Sequence, residues 1–531
     1  MRNKNIIFYL TFIIVFIVFW IKGIFFLDPD FGWRLVSGKI YATSGIPKID
    51  TFSYTMPNFP WVDHAWSQSY IMNFLFMRIG NIGTSFVFMI LPLATLIVVA
   101  KACERFYSDK KMFENVGFVV GGRFLINKFF TLSTDKIGFF ASFPFWLGAS
   151  ILLTFSGIRA QLISWLMIAL LYFLFFKNNL YQKYRFLLPA FFLLWANLHG
   201  SFLSGLITLG LYVFLKSVKE KRVLISDFAL TTICALLTLV NPYGTGIWRE
   251  VLSSVRDSSL RLTVNEWMPA VFMFDISMAF LIVISLTLLA RFRKKYSIEE
   301  IGLYLAFLFQ AILSRRHLPL WTIFAVPISV KGIYYLWLEA SKTKLGILRF
   351  KNIYKWAWLL ALIIFLIQTS QAYREALYLR EDDFYPTKAI NYLSINTPKG
   401  EIFSEYGWGG YLILKLPEKK VFVDGRMPSW KWNNAPDREL ASAFDTYLGI
   451  IKGTTEYNDV FEKYNIEIVL WSKTQKERNI DKYVKRIENY IARFGWKKDD
   501  FSFIQTLEDN GWQKVYEDER AVIHKRPEML K

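Results

Sequence analysis

Apolar runs of roughly 16–22 residues recur along this 531-residue chain, separated by short polar loops. That repetition constrains the fold more than any other feature. A run of this length is what an α-helix needs to cross about 30 Å of hydrocarbon. Within hydrocarbon only helices and closed barrels satisfy their own backbone groups. About eleven runs are read, near residues 6–27, 83–101, 138–155, 159–176, 185–197, 200–216, 226–241, 272–290, 299–314, 317–338 and 355–371. Residues 66–79 are taken as the lead-in to the second run. The chain is 54% hydrophobic with 50 Phe and a mean hydropathy of +0.29, beyond what a soluble globular chain carries.

The formal charge of +20 would point to nucleic acid in a soluble protein. Here the cations sit in loops between apolar runs, so they read as topology and no nucleic-acid partner is expected. With the N-terminus inside, the inner loops collect clusters such as Lys216, Lys219, Lys221 and Arg222, or Arg291, Arg293, Lys294 and Lys295. The outer loops carry fewer. Lys22 and Lys331 fall within runs and are expected to snorkel to an interface. The first run follows Arg2 and Lys4, is too long for a signal-peptide core and lacks a small-residue cleavage site, so it reads as a retained helix. The two cysteines, Cys103 and Cys234, lie in or beside apolar runs and imply no disulfide framework.

An odd number of spans leaves residues from about 372 onward outside. That tail is charged, and its pattern predicts strands at 411–414, 421–423 and 466–470 and helices at 436–449 and 477–494. The expected architecture is an α-helical polytopic membrane domain over 1–371, including a first outer loop at 28–66, followed by an extracytoplasmic mixed α/β domain over 372–531. The expected location is the plasma (inner) membrane, with a cytoplasmic N-terminus.

The first run ends in Asp28-Pro29-Asp30, two carboxylates where a membrane helix meets water. Ionisable groups at that depth are costly and tend to mark sites. Asp30 is read as the N-cap of a short helix over 31–43 whose Phe31, Leu35, Val36 and Ile40 suit an interfacial position. Asp50 follows in the same loop, and Asp63-His64 precedes the next helix as a capping pair or a cavity pair. The other conspicuous polar residues also fall on the outer side: Arg159, His199, Glu266, Asp275 and the turn Arg315-Arg316-His317. An arginine turn there opposes the insertion bias, so it calls for an anionic partner. The planar guanidinium fork suits phosphate. Outward carboxylates with outward arginines suit group transfer from a lipid phosphate.

These segments resemble the GT-C integral-membrane glycosyltransferases. Asp30-Phe31-Gly32-Trp33-Arg34-Leu35 and Asp50-Thr51-Phe52-Ser53-Tyr54-Thr55-Met56-Pro57 are similar to the first outer loop of oligosaccharyltransferase catalytic subunits. Ser404-Glu405-Tyr406-Gly407-Trp408-Gly409-Gly410-Tyr411 and Val423-Asp424-Gly425-Arg426 resemble segments at the head of their C-terminal domain. The Trp-Val-Asp-His, Asn-Leu-His-Gly and Asn-Pro-Tyr-Gly segments are also similar to bacterial membrane proteins of unassigned activity. The paired tryptophans before the acidic residue are missing, so the resemblance does not extend to a protein sequon.

The resemblance implies an inverting transferase that moves a sugar from a polyprenyl-(di)phosphate donor to a glycan, lipid or protein acceptor at the outer face. Asp30, with Asp28 as alternate, would be the catalytic carboxylate. Arg315, Arg316, His317 and Arg159 would hold the donor phosphate. Asp63, His64, His199, Glu266 and Asp50 would line the cavity. Metal dependence is left open, with Asp30, Asp63 and His64 as the candidate ligands for a divalent cation, Mg or Mn. Two rivals stand beside this reading. A transporter or lipid flippase predicts broken helices and mid-span charges. A non-catalytic envelope assembly protein predicts that the polar turns do not gather.

Overall fold

The computed structural model describes residues 2–106, 142–256, 264, 266–270, 275–473 and 501–527. Most of the 102–137 loop and the helix expected at 477–494 lie outside the described residues. The chain divides into two compact units. The first is Met1–Phe26, Asp63–Ile71 and Leu75–Leu377; the second is Leu27–Val62, Met72–Phe74 and Tyr378–Lys531. The first outer loop, grouped above with the membrane domain, thus gives Leu27–Val62 to the second unit.

The first unit is helical, and each expected apolar run coincides with a helix. Among the described residues, four helices are long and apolar enough to cross a membrane: Trp66–Cys103, Phe202–Glu220, Arg315–Ala340 and Lys344–Tyr378. A bent pair, Leu162–Phe176 with Leu180–Leu198, turns through 114° and adds a fifth if it is one span. These helices make the chain an integral membrane protein. The run at 66–79 continues into the next one, with a break at Gly80 where φ is +64°. Only glycine takes that conformation without strain.

Leu318–Ala340 is the core of the unit. Every residue from Leu318 to Ile333 is buried, as expected of a helix apolar all round. It packs against Ile276–Arg291, Ile298–Leu313, Phe143–Thr154 and Leu162–Phe176. Its hydroxyls bond back into their own helix, Thr322 Oγ1 to Leu318 O at 2.9 Å and Ser329 Oγ to Ala325 O at 2.8 Å. Neither intraspan lysine snorkels. Lys331 donates to both oxygens of Glu300 at 2.8 and 2.7 Å. Lys22 is fully buried and donates to Thr154 O at 3.1 Å and to Ser156 O. A nearby acceptor inside the bundle replaces the aqueous one.

The second unit is α/β. Its sheet has the order β1-β2-β4-β3, with β1 Glu401–Ser404, β2 Ile466–Ser472, β3 Gln513–Glu517 and β4 Ala521–Lys525. β1 and β2 run parallel, so the chain crosses over between them through the helices Gly409–Lys415, Ala443–Lys452 and Tyr457–Lys463. β4 pairs antiparallel with β2 and β3. Strand β2 covers the expected 466–470.

Residues 411–414 form helix rather than strand, and 421–423 lie outside the sheet. Val421 hydrogen-bonds instead with the first loop, its N–H to Phe52 O at 2.9 Å and its carbonyl from the Tyr54 N–H at 3.2 Å. Of the expected 436–449 helix only Ala443 onward is helical, because Ser442 caps it with a bond from the Asp445 N–H at 3.3 Å.

Helix Phe31–Thr43 buries Phe31, Trp33 and Leu35 and packs on Gly409–Lys415. Of the apolar face expected to lie on the bilayer, Phe31 and Leu35 are buried in protein, while Val36 and Ile40 are half-buried. The two backbones touch. A Cβ on Gly32 would lie 2.0 Å from Gly410 O, and one on Gly410 would lie 2.3 Å from Pro29 O. A Gly410→Ala protein is therefore expected to lose about 1–3 kcal/mol in this unit. Thermal unfolding in detergent would register a lower midpoint; an unchanged midpoint would mean that the crossing relaxes freely.

Candidate functional site

In the second unit the carboxylate corner is organised by local turns. Asp28 Oδ1 accepts the Asp30 N–H at 2.9 Å, the Asx turn that a short carboxylate two residues upstream makes. Asp30 occupies the expected N-cap position of helix Phe31–Thr43, though its side chain makes no capping bond. Its Oδ1 accepts the Trp33 indole N–H at 3.0 Å instead. Gly425 sits directly against this carboxylate, for a Cβ there would lie 2.1 Å from Asp30 Oδ1. Asp30 is thus half-buried beneath the Asp424-Gly425-Arg426 turn.

The same turn carries a buried ion triad. Arg426 donates through Nε and Nη2 to Asp424 at 2.8 and 2.6 Å, and through Nη1 to Asp50 at 2.7 Å. Its guanidinium stacks with Phe52, Trp61 and Trp430 at 4.8–5.1 Å. Burial alone would disfavour the charge, but Asp424 and Asp50 outweigh it and hold the guanidinium above its ordinary pKa. Asp50 also accepts the Phe52 and Ser53 N–H groups at 3.1 and 2.8 Å. The structure therefore engages Asp50 in holding the first loop to residues 424–430. Arg426 had no assigned role in the sequence reading; the Asp-Gly-Arg spacing was the available signal.

In the first unit the arginine turn is pinned to the Glu266 segment. The backbone N–H of Arg315 bonds Met268 O and that of Arg316 bonds Glu266 O, both at 2.9 Å. Arg159 forms an ion pair with the Glu266 carboxylate. Burial pushes the Glu266 carboxyl up, but Arg159, Arg316 and Arg315 together hold it below the usual carboxylate range. Each guanidinium also lies over a ring: Arg316 on Trp267 at 4.1 Å, Arg159 on Phe26 at 4.8 Å and Arg315 on Phe155 at 5.3 Å. Three cations thus act on the Glu266 carboxylate, and Arg315 acts on Asp275 as well.

Arg316 and His317 line a small cavity with Gln161, Ser164, Trp165, Ser201 and Leu320. Ser164 connects it to His199. His199 Nδ1 lies 3.2 Å from the Ser201 N–H, which can only donate, and 2.9 Å from Ser164 Oγ. Ser164 Oγ in turn accepts the Trp195 indole N–H at 3.0 Å. Nδ1 is therefore an acceptor, and the ring proton of the neutral imidazole belongs on Nε2. The His64 ring sits edge-on to His199 with centroids 5.6 Å apart. Gly200 permits this approach, since a Cβ there would lie 3.0 Å from His64 Cδ2.

Asp63 accepts the Ala65 N–H at 2.9 Å and the Ser69 hydroxyl at 2.7 Å, so its carboxylate organises the start of Trp66–Cys103. Asp275 caps Ile276–Arg291 through the Met278 N–H at 2.9 Å. Among the described residues no three His, Cys, Asp or Glu side chains gather as a cation site would require. Asp63, with both oxygens engaged by protein donors, does not fit the ligand role expected of it.

No protein-family model matches the chain, and no curated protein matches it. Among solved structures it is similar to the archaeal oligosaccharyltransferase AglB from Archaeoglobus fulgidus, in complex with an inhibitory peptide and a dolichol-phosphate. That match has a TM-score of 0.51 and 11% identity over 89% of this chain and 70% of that one. ArnT from Cupriavidus metallidurans bound to undecaprenyl phosphate matches at a TM-score of 0.41 and 10% identity over 97% of each chain. The chain thus shares the fold of AglB.

Glu266 has a pH signature. Because its pKa is lowered on folding, its contribution to stability is present above the ordinary carboxylate pKa and lost as pH falls through the lowered value. Wild type should therefore melt above Glu266→Gln at pH 7, with the gap closing below about pH 4. A gap independent of pH would place the effect in packing instead.

Proposed function

We propose that the chain is a glycosyltransferase of the GT-C class. It moves a sugar from a polyprenyl-(di)phosphate donor to an acceptor at the outer membrane face, with inversion. The observation that supports this reading is the gathering of Arg159, Arg315 and Arg316 about Glu266, with His317 beside the adjoining cavity. Guanidiniums set on aromatic rings in this way are suited to a phosphate. The fold shared with AglB, which was solved with a dolichol-phosphate, supports a lipid-linked one.

In this reading Arg315, Arg316 and His317 hold the donor phosphate, and Arg159 fixes Glu266 so that the arginine turn keeps its place. The acceptor hydroxyl attacks the anomeric carbon from the side opposite the phosphate. A new carbon–oxygen bond forms there while the bond from the anomeric carbon to the phosphate oxygen breaks. The electron pair leaves on that oxygen, where the guanidiniums stabilise it. The acceptor proton goes to a general base, a role proposed for Asp30 from the resemblance of its loop to the first outer loop of oligosaccharyltransferase catalytic subunits. His199 is joined to that cavity through Ser164 and Ser201, which its Nδ1 faces, and His64 lies edge-on to His199. The eleven apolar helices form the membrane bundle, with the N-terminus cytoplasmic and the α/β unit outside. No step is routed through a metal ion.

Asp30→Asn is expected to insert and fold normally while losing about 100-fold or more in transfer. Proteoliposomes supplied with a panel of polyprenyl-phosphate sugars would measure it. An inserted Asp30→Asn protein with full activity would remove Asp30 from the chemistry.

A further inference from the structure

We propose that Lys22 is a positioning residue for Arg159, and through it for the anion site of the first unit; this rests on reading the arginine cluster as that site. Lys22 lies near the end of helix Arg2–Phe25 and is 0% exposed. A lysine inside a membrane bundle is costly unless its three donors are met. Two of them are met on backbone: Nζ donates to Thr154 O at 3.1 Å and to Ser156 O. Those carbonyls belong to the last turn of helix Phe143–Thr154 and the residues just beyond it. Such carbonyls have no intrahelical partner and carry the negative end of the helix dipole.

The turn that Lys22 holds is the one that delivers Arg159. It runs from Phe155 through Ser156, Gly157 and Ile158. The end of the first helix shapes it a second time through Phe26. The Phe26 ring lies so close to Gly157 that a Cβ there would be 2.5 Å from Phe26 Cδ1. The ammonium of Lys22 lies 4.6 Å from the centroid of that ring and the guanidinium of Arg159 lies 4.8 Å from it. One ring therefore relates the two cations, and Lys22 fixes the backbone from which Arg159 reaches Glu266. Phe155, within the same turn, lies under Arg315 at 5.3 Å. Displacement of this turn would thus reach two of the three arginines.

A lysine that only capped a helix would affect stability alone. A positioning lysine also affects anion binding, and does so through Arg159. The test uses the full chain in nanodiscs with farnesyl phosphate as probe. Lys22→Met should weaken binding about tenfold, in keeping with loss of charged hydrogen bonds. Arg159→Ala should weaken it similarly, and the double variant should be no weaker than Arg159→Ala alone. Gly157→Ala, which disturbs the same turn from the other side, should reproduce the loss if Lys22→Met fails to fold. Amide hydrogen exchange across 154–160 should rise in Lys22→Met while 318–333 stays protected. Additive effects, or wild-type binding with unchanged exchange in Lys22→Met, would overturn the proposal. If the wild type does not bind farnesyl phosphate, the donor reading fails, and the exchange experiment alone decides whether Lys22 sets the turn.

Discussion

Arginine paired with carboxylate is the interaction on which both units depend. In the second unit one guanidinium, Arg426, is divided between two carboxylates, Asp424 and Asp50, and enclosed by Phe52, Trp61 and Trp430. Its donors are spent within the protein, so the arrangement holds chain segments together. In the first unit Glu266 is held by Arg159, Arg315 and Arg316, and Arg315 also acts on Asp275. There the pairing fixes the arginine turn that we propose as the anion site.

Glycines set the close approaches around these groups. Gly425 brings the Asp424–Arg426 turn against Asp30, Gly410 brings the following helix against Pro29, and Gly200 brings His199 beside His64. The Gly-Gly pair at 409–410 therefore has a geometric reason. Gly409 lies under Val423 and Asp424 while Gly410 lies under Pro29, so the short helix is packed between the first loop and the turn that carries Arg426.

Much of this was legible in the sequence where a single periodicity decides the outcome. Each apolar run became a helix, because nothing else satisfies backbone groups in hydrocarbon. The arginine turn at 315–316 was legible because its charge lay against the expected bias. Features that depend on distant partners were not. Residues 411–414 have the composition of a buried strand, yet they are helical because they must cross the helix beginning at Phe31. Asp30 has the position of a cap, but Asp28 supplies the turn and Trp33 takes the Asp30 carboxylate. Lys22 and Lys331 looked free to snorkel, and each is met inside the bundle by acceptors far away in sequence. The Arg159–Glu266 pairing and the role of Arg426 arise in the same way, from long-range contacts that no local spacing encodes.

The account turns on whether the arginine turn beside Glu266 receives a lipid phosphate. The most direct measurement compares the affinity of the purified protein for a long-chain polyprenyl phosphate and for the matching polyprenol, in wild type and in Arg315→Ala/Arg316→Ala. A phosphate-dependent preference in the wild type that disappears in the double variant is the result predicted. Equal affinity for phosphate and alcohol in the wild type, or a preference that survives loss of both arginines, would contradict it.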